Sequence, residues 1–277
     1  MSSYEHYHRT AAHYDATRWA AGHEIILGCL AQAPVPLSEF RLLDAGCGTG
    51  NYARTLLRHV GRIEALDLEA AMLARARQKL AAEEAAGRIS FHRGSVLALP
   101  FPDAAFDGVM INQMLHHLPG APGDPFAGWR RALAECARVL RPGGVLTVNT
   151  CSHLQLEQGY WYYALIPEAV ARLRARYLDL DPLEEELRRH GLVPRGRFVP
   201  TDLLLMGVAY FDPGGPRDPA WRAGDSTWAL VEEEELARAL TRLAELEARG
   251  ELEAFLRERD AMRPRIGQLT VLGAEKV

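Results

Sequence analysis

A chain of 277 residues, 48% hydrophobic and 25% charged, is long enough to bury a sizeable core; it reads as one large domain or one domain with a substantial insertion. The formal net charge of −4 comes from scattered Arg and Glu without a basic stripe, which argues against nucleic acid as a partner. Cys29, Cys47, Cys136 and Cys151 show no CxxC spacing and follow no secretory leader, and no apolar run reaches membrane-spanning length, so a reduced, cytoplasmic setting without metal or membrane is expected.

Residues 1–40 are helical in tone and close at APVPL, whose prolines read as a linker. RLLDAG is a short apolar run ending in glycine, and Ala53, Leu56, Leu57 and Val60 follow at i, i+3, i+4, i+7, one face of a helix. GRIEALDLE is strand-like, and AAMLARARQKLAAEEAA reads as one helix burying Met72, Leu73, Ala76 and Leu80. RISFHRGSV and FDGVMINQM give a third and a fourth strand. Trp129, Leu133, Cys136, Ala137 and Leu140 form the next helical face, stopped by RPGG, and VLTVNT is a fifth strand. Strands alternating with helices imply βαβ units and a parallel sheet covered on both faces.

Beyond residue 152 the regularity weakens. Residues 153–192 look helical, RGRFVP is a sixth strand and DPGGPRDP a loop. Leu236, Leu240 and Leu243 mark a helix whose acidic start, Glu232 to Glu235, is expected to be solvated, and IGQLTVLGA is a seventh strand. The expected fold is α/β: a Rossmann-like, doubly wound, seven-stranded and mostly parallel sheet with helical insertions. An N-terminal helical segment (1–40), a core (41–152) and a remainder (153–277) make one structural domain overall.

Gly46, Gly48 and Gly50 follow the first strand at alternate positions, at the sheet end where such folds bind ligands; glycine lets backbone N–H groups approach a ligand closely. A dinucleotide GxGxxG turn would need glycine at 51, where Asn51 stands, so a nicotinamide oxidoreductase is disfavoured. Asp67 ends the second strand, where a carboxylate can accept two hydrogen bonds from a ribose diol. Together these residues describe a nucleoside pocket.

LLDAGCGTG, ALDLEAAMLARAR, GSVLALPFPDAAFDGVMINQMLHHL and ARVLRPGGVLTV resemble, in order and separation, the motifs of class I S-adenosylmethionine-dependent methyltransferases of the small-molecule kind, over roughly residues 41 to 150. The resemblance implies that the glycine turn, Cys47 included, passes under the methionine part of the cofactor and that Asp67 holds its ribose. Asp44 would help hold the amino acid end, and Leu68 and Met72 would lie near the adenine. Ser95 and Val96 would meet the adenine edge, although many relatives carry aspartate where Ser95 stands. Asn112 and Gln113 would lie near the sulfonium. HYDATR resembles the segment that closes over the cofactor, making residues 1–40 a lid and nominating Tyr14 and Arg18.

Methyl transfer from a sulfonium is an in-line displacement that asks the protein chiefly for proximity and orientation. Acceptors that must lose a proton need a base, for which His116 is the candidate, and Tyr14 could stabilise positive charge. His117, Tyr160 and Trp161 are substrate-wall candidates, the GYWYY cluster being equally a core element. The expected reaction converts S-adenosylmethionine to S-adenosylhomocysteine on a small-molecule acceptor, in a monomer or homodimer. The alternatives are a non-catalytic cofactor-binding partner protein and an arsenic methyltransferase, which would use several of the cysteines.

Overall fold

The computed structural model describes residues 19–277. In chain order the larger elements are α1 (His23–Leu30), β1 (Arg41–Ala45), α2 (Asn51–Leu56), β2 (Arg62–Asp67), α3 (Ala70–Lys79), α4 (Ala81–Ala85), β3 (Ile89–Arg93), β4 (Phe106–Asn112), α5 (Ala127–Val139) and β5 (Leu140–Thr150). There follow α6 (His153–Gln158), α7 (Pro167–Arg174), α8 (Leu180–Arg189), β6 (Leu192–Phe198), α9 (Pro219–Arg222), α10 (Glu233–Ala248), α11 (Leu252–Asp260), α12 (Arg263–Ile266) and β7 (Thr270–Lys276). The strands form one sheet in the order β3-β2-β1-β4-β5-β7-β6. It is parallel except for β7, which runs antiparallel to both neighbours, as the doubly wound reading expects.

Helices on both faces explain why β4 is buried at every position and reads as a nearly unbroken apolar run rather than an alternating one. The stripe on α5 buries Trp129, Leu133 and Cys136 against the sheet.

Several boundaries differ from the sequence reading. The helix over residues 70–85 is broken at Leu80, whose φ of −118° and ψ of 27° leave the helical region and divide α3 from α4. The helix after β1 ends at Leu56, although Leu57 and Val60 are still buried. RPGG does not separate α5 from its strand: Leu140 already pairs with Phe106, and the register then shifts so that Gly108 meets Val145. The breakers thus sit within β5, absorbed as an irregularity.

The acidic start of α10 is only partly solvated. Glu235 is buried; its Oε1 accepts from the Glu168 and Ala169 N–H groups at 2.8 and 3.0 Å, and its Oε2 receives Arg172 at 2.6 Å. Glu235 therefore caps the first turn of α7, satisfying donors that no residue of α7 itself can reach.

Candidate functional site

The chain leaves β1 toward β2 and β3 on one side and returns through β4 toward β5 on the other, so a crevice opens beyond the carboxyl ends of β1 and β4. The turn after β1 holds Gly46, Gly48 and Gly50 at φ of 93°, 53° and 78°, values that side chains with a Cβ rarely adopt. A Cβ on Gly46 would stand 2.9 Å from Met114 Cγ. Gly50 serves another purpose: its backbone packs against Ala76 of α3 and against Leu80 just beyond that helix, each 3.2 Å from where a Cβ would be. Gly46 and Gly48 border the crevice and Gly50 does not. Cys47 is buried behind the turn, and burial pushes its thiol well above the ordinary range.

Asp67 fixes this turn. Its Oδ2 accepts from the Gly48 N–H at 2.8 Å and its Oδ1 from the Glu69 N–H at 2.9 Å. Each oxygen keeps a second acceptor direction, so the carboxylate shapes the loop and still offers sites to a ligand. Burial raises its pKa against the pull of those N–H groups.

The crevice encloses ≈ 910 Å³, its mouth included, ample for a nucleoside-sized ligand. Leu68, Met72, Ser95, Val96, Asn112 and Gln113 line it, as the sequence nominated. Glu69, Leu97, Met114 and Leu118 also line it and were not nominated; Glu69 was legible as the second acid of ALDLE, whereas the others come from loops without a periodic signal.

Two side chains in this region have unmet polar atoms. Asp44 Oδ2 and both amide atoms of Asn112 are buried without a hydrogen-bond partner. Elsewhere in the sheet the protein pairs its buried carboxylates: Glu64 receives Arg41, Arg62 and His92, and Asp107 receives Arg141. Burial, with the Asp67 charge adding to it, raises the Asp44 carboxyl to about 8. A buried polar group without a partner is costly; Asn112 lines the crevice, where the polar tail of a ligand would meet its deficit, while Asp44 stands behind that lining in β1. The residues present therefore fit a nucleoside that carries an amino acid tail.

A second cavity lies beside the first, and Gln113 and His117 border both. Gln113 has a φ of 49°, a strained conformation for a residue with a side chain. It is held there by β5: its N–H donates to the Asn149 carbonyl and its Nε2 to Asn149 Oδ1, each at 2.9 Å. Asn149 Nδ2 in turn donates to the Ala21 carbonyl at 3.1 Å and to Tyr52 Oη at 3.0 Å. The wall between the cavities is thereby tied to the start of the described chain.

His116 lies in the second cavity, stacked on Tyr177 with centroids 4.6 Å apart. Tyr160 and Tyr163 stack at 4.4 Å and line it together with Tyr162. The Tyr162 and Tyr163 hydroxyls donate to Asp225 Oδ2 at 2.6 and 3.0 Å, and Thr227 donates to Oδ1 through its N–H and hydroxyl at 2.9 and 2.8 Å. Burial pushes the three phenols well above their ordinary pKa, so they act as neutral donors. Trp161 is not brought to either cavity; it is fully buried, with Nε1 donating to the Tyr210 carbonyl at 2.7 Å. Tyr177, Asp225 and Thr227 lie far from GYWYY in sequence and gave no signal there. Tyr14 and Arg18 lie outside the described residues.

Residues 43–148 match the methyltransferase domain family. That stretch, running from β1 into β5, is where the chain is similar to methyltransferase domains. A ubiquinone/menaquinone biosynthesis C-methyltransferase, UbiE of Methylobacterium nodulans, is 35% identical over 167 residues, which cover 57% of this chain and 63% of the relative. The chain spans less than two thirds of the length of the curated relatives it matches first. Among solved structures, a protein described as a methyltransferase of an antibiotic biosynthesis pathway in Anabaena variabilis superposes with a TM-score of 0.69 at 20% identity, covering 92% of this chain and 97% of that one. Geranyl diphosphate C-methyltransferase of Streptomyces coelicolor, solved with Mg2+, geranyl diphosphate and S-adenosyl-L-homocysteine, superposes with a TM-score of 0.58 at 18% identity, covering 93% and 78%. These likenesses are of fold.

The four cysteines are all buried on separate stretches of chain. Among the described residues no group of three or more His, Cys, Asp or Glu side chains converges as a metal site. Only Cys151 borders the second cavity, and burial holds its thiol up at about 11. Among the described residues no helix is long and apolar enough to cross a membrane.

Proposed function

We propose that this protein transfers a methyl group from S-adenosylmethionine to a small-molecule acceptor, leaving S-adenosylhomocysteine. The observation that carries this reading is the pair of cavities separated by Gln113: one has a glycine turn, a ribose-type carboxylate and unmet polar atoms, and the other is a tyrosine-lined chamber. When bound, S-adenosylmethionine supplies a methyl group already activated on a sulfonium. The protein's work is then to hold donor and acceptor in line and to exclude water.

In this reading Asp67 and Glu69 take the ribose, Leu68, Met72, Ser95 and Val96 the adenine, and Asp44 and Asn112 the amino acid end. His116 in the chamber accepts a proton from acceptors that must lose one. The segment ahead of α1 is the proposed lid, with Tyr14 and Arg18 closing over the cofactor, whereas α1 itself packs Ile26, Cys29 and Leu30 into the core of the sheet; the segments after 152 complete the chamber. A small molecule is favoured over nucleic acid because no Lys or Arg of the described residues lines either cavity to neutralise phosphates.

The test is a thermal shift titration followed by a metabolite panel. S-adenosylmethionine and S-adenosylhomocysteine are expected to raise the melting temperature, as ligands of the native state do, and NAD is not. Formation of S-adenosylhomocysteine with one panel member establishes turnover; a shift with NAD and none with S-adenosylhomocysteine refutes the assignment.

A further inference from the structure

The second cavity has a consistent electrostatic character. Asp225 contributes a carboxylate to its wall, and each of that carboxylate's four hydrogen bonds comes from an uncharged donor: two phenols, one hydroxyl and one backbone N–H. These donors fix the group in place without cancelling its charge. Among the described residues no Lys or Arg lines the cavity. Arg222, three positions from Asp225, turns instead to the Pro216 and Arg217 carbonyls at 2.7 and 3.1 Å. The rings of Tyr160, Tyr162, Tyr163 and Tyr177 line it beside His116 and His117, and Leu156, Leu173, Leu205 and Met206 add apolar wall.

A half-buried carboxylate beside several aromatic rings is a poor host for an anion and a good one for an organic cation. Anions would be repelled in a space of reduced dielectric, while ring quadrupoles and the carboxylate both favour positive charge. We propose that the chamber selects an amine acceptor, and that Asp225 with the tyrosine cluster is its cation-recognising wall. This deepens the methyltransferase reading and rests on it.

The chemistry of transfer agrees with that placement. The acceptor nitrogen uses its lone pair to form the new N–C bond while the C–S bond breaks and its electron pair stays on sulfur. The positive charge that was on sulfur passes to nitrogen, which becomes an ammonium. Groups that favour a cation on the acceptor side are thus aimed at charge that develops during the reaction. An amine that arrives protonated first gives its proton to His116 or to water. A carbon or oxygen acceptor that loses a proton ends neutral and would gain nothing from such a wall.

The experiment uses the full chain saturated with S-adenosylhomocysteine and three probes of one shape: choline, its neutral carbon isostere 3,3-dimethylbutan-1-ol, and the anionic 3,3-dimethylbutanoate. Calorimetric titration is expected to give affinities in the order cation, neutral, anion, with choline at least about tenfold tighter than the alcohol. Asp225→Asn, which keeps the size and some of the hydrogen bonds, is expected to reduce the preference for choline to about threefold or less while leaving S-adenosylhomocysteine affinity unchanged, a readout that also reports correct folding. Tyr163→Phe removes one donor and keeps the ring, and is expected to retain most of the preference. Equal or weaker binding of choline than of the alcohol in the wild-type protein, or no binding of choline up to millimolar concentration, overturns the proposal without needing any variant. Failure of S-adenosylhomocysteine to bind in the first step overturns the methyltransferase reading instead, so the two failures are distinguishable.

Discussion

The two cavities that meet at Gln113 are made in different ways. The first is built from backbone and from residues a few positions beyond strand ends: the turn at Gly46 and Gly48, Asp67, and Asn112. The second is built from side chains drawn from Gln113, GYWYY, Tyr177 and the loop at Asp225 to Thr227, more than a hundred positions apart. A site made from a strand, a turn and a helix start can be shared by proteins with unrelated substrates, because its ligand is constant. A chamber made from scattered side chains can change its contents without disturbing the sheet.

That contrast predicts that changes on the two sides separate cleanly. Asp67→Ala removes the proposed ribose acceptor and also releases the Gly48 and Glu69 N–H groups. Hydrogen bonds to charged acceptors are worth roughly 1.5–3 kcal/mol each, so S-adenosylhomocysteine affinity should fall at least about tenfold, with Asp67→Asn costing less. Calorimetric titration measures both; wild-type affinity in Asp67→Ala would show that the ribose is held elsewhere.

Glu235→Ala acts on the other side, beneath the helix that follows GYWYY. It strips the cap from α7 and removes one partner of Arg172, which keeps the Leu230 carbonyl and Glu232. Unfolding should cost about 1–3 kcal/mol less, lowering the melting temperature by several degrees in a chain of this size, with cofactor affinity intact. A parallel loss of S-adenosylhomocysteine binding would break the proposed independence of the two sides.

The smallest expected effect sharpens the first side. With its carboxyl raised to about 8, Asp44 is mostly protonated at pH 7 in the ligand-free protein. The native state then holds a proton that the unfolded chain has lost, so this group makes stability decline as pH rises from the ordinary carboxylate range toward 8. An ammonium placed beside it reverses the shift, and S-adenosylhomocysteine binding at pH 7 should release a fraction of a proton that Asp44→Asn does not release. Binding enthalpies measured in buffers of different ionisation enthalpy report that number; identical proton release in both proteins would place the ammonium away from Asp44.

How far the sequence could be read follows the same division. The alternation of strands and helices and the run from RLLDAG to VLTVNT were legible because each depends on neighbours within a few turns of chain. Gly50 was legible as a required glycine but not for its reason, which is contact with Ala76 and Leu80 across a helix pair. Glu235 was read as solvated because its own helix offers no partner; the donors it serves lie on α7, some 65 positions earlier. Trp161 and Tyr160 are adjacent in GYWYY, and only packing sends one to Tyr210 and the other to the chamber.

By itself, then, the sequence determined the doubly wound sheet and the nucleoside crevice, since strand periodicity, glycine turns and a carboxylate at a strand end are local features with local physical causes. The tertiary structure decided the rest: the tilt of Gln113 between two cavities, the unmet atoms of Asp44 and Asn112, and the tyrosine hydroxyls converging on Asp225. Each of these depends on which distant groups fill, or fail to fill, the hydrogen-bonding and electrostatic needs of a buried side chain, and that is settled only when the whole chain has packed.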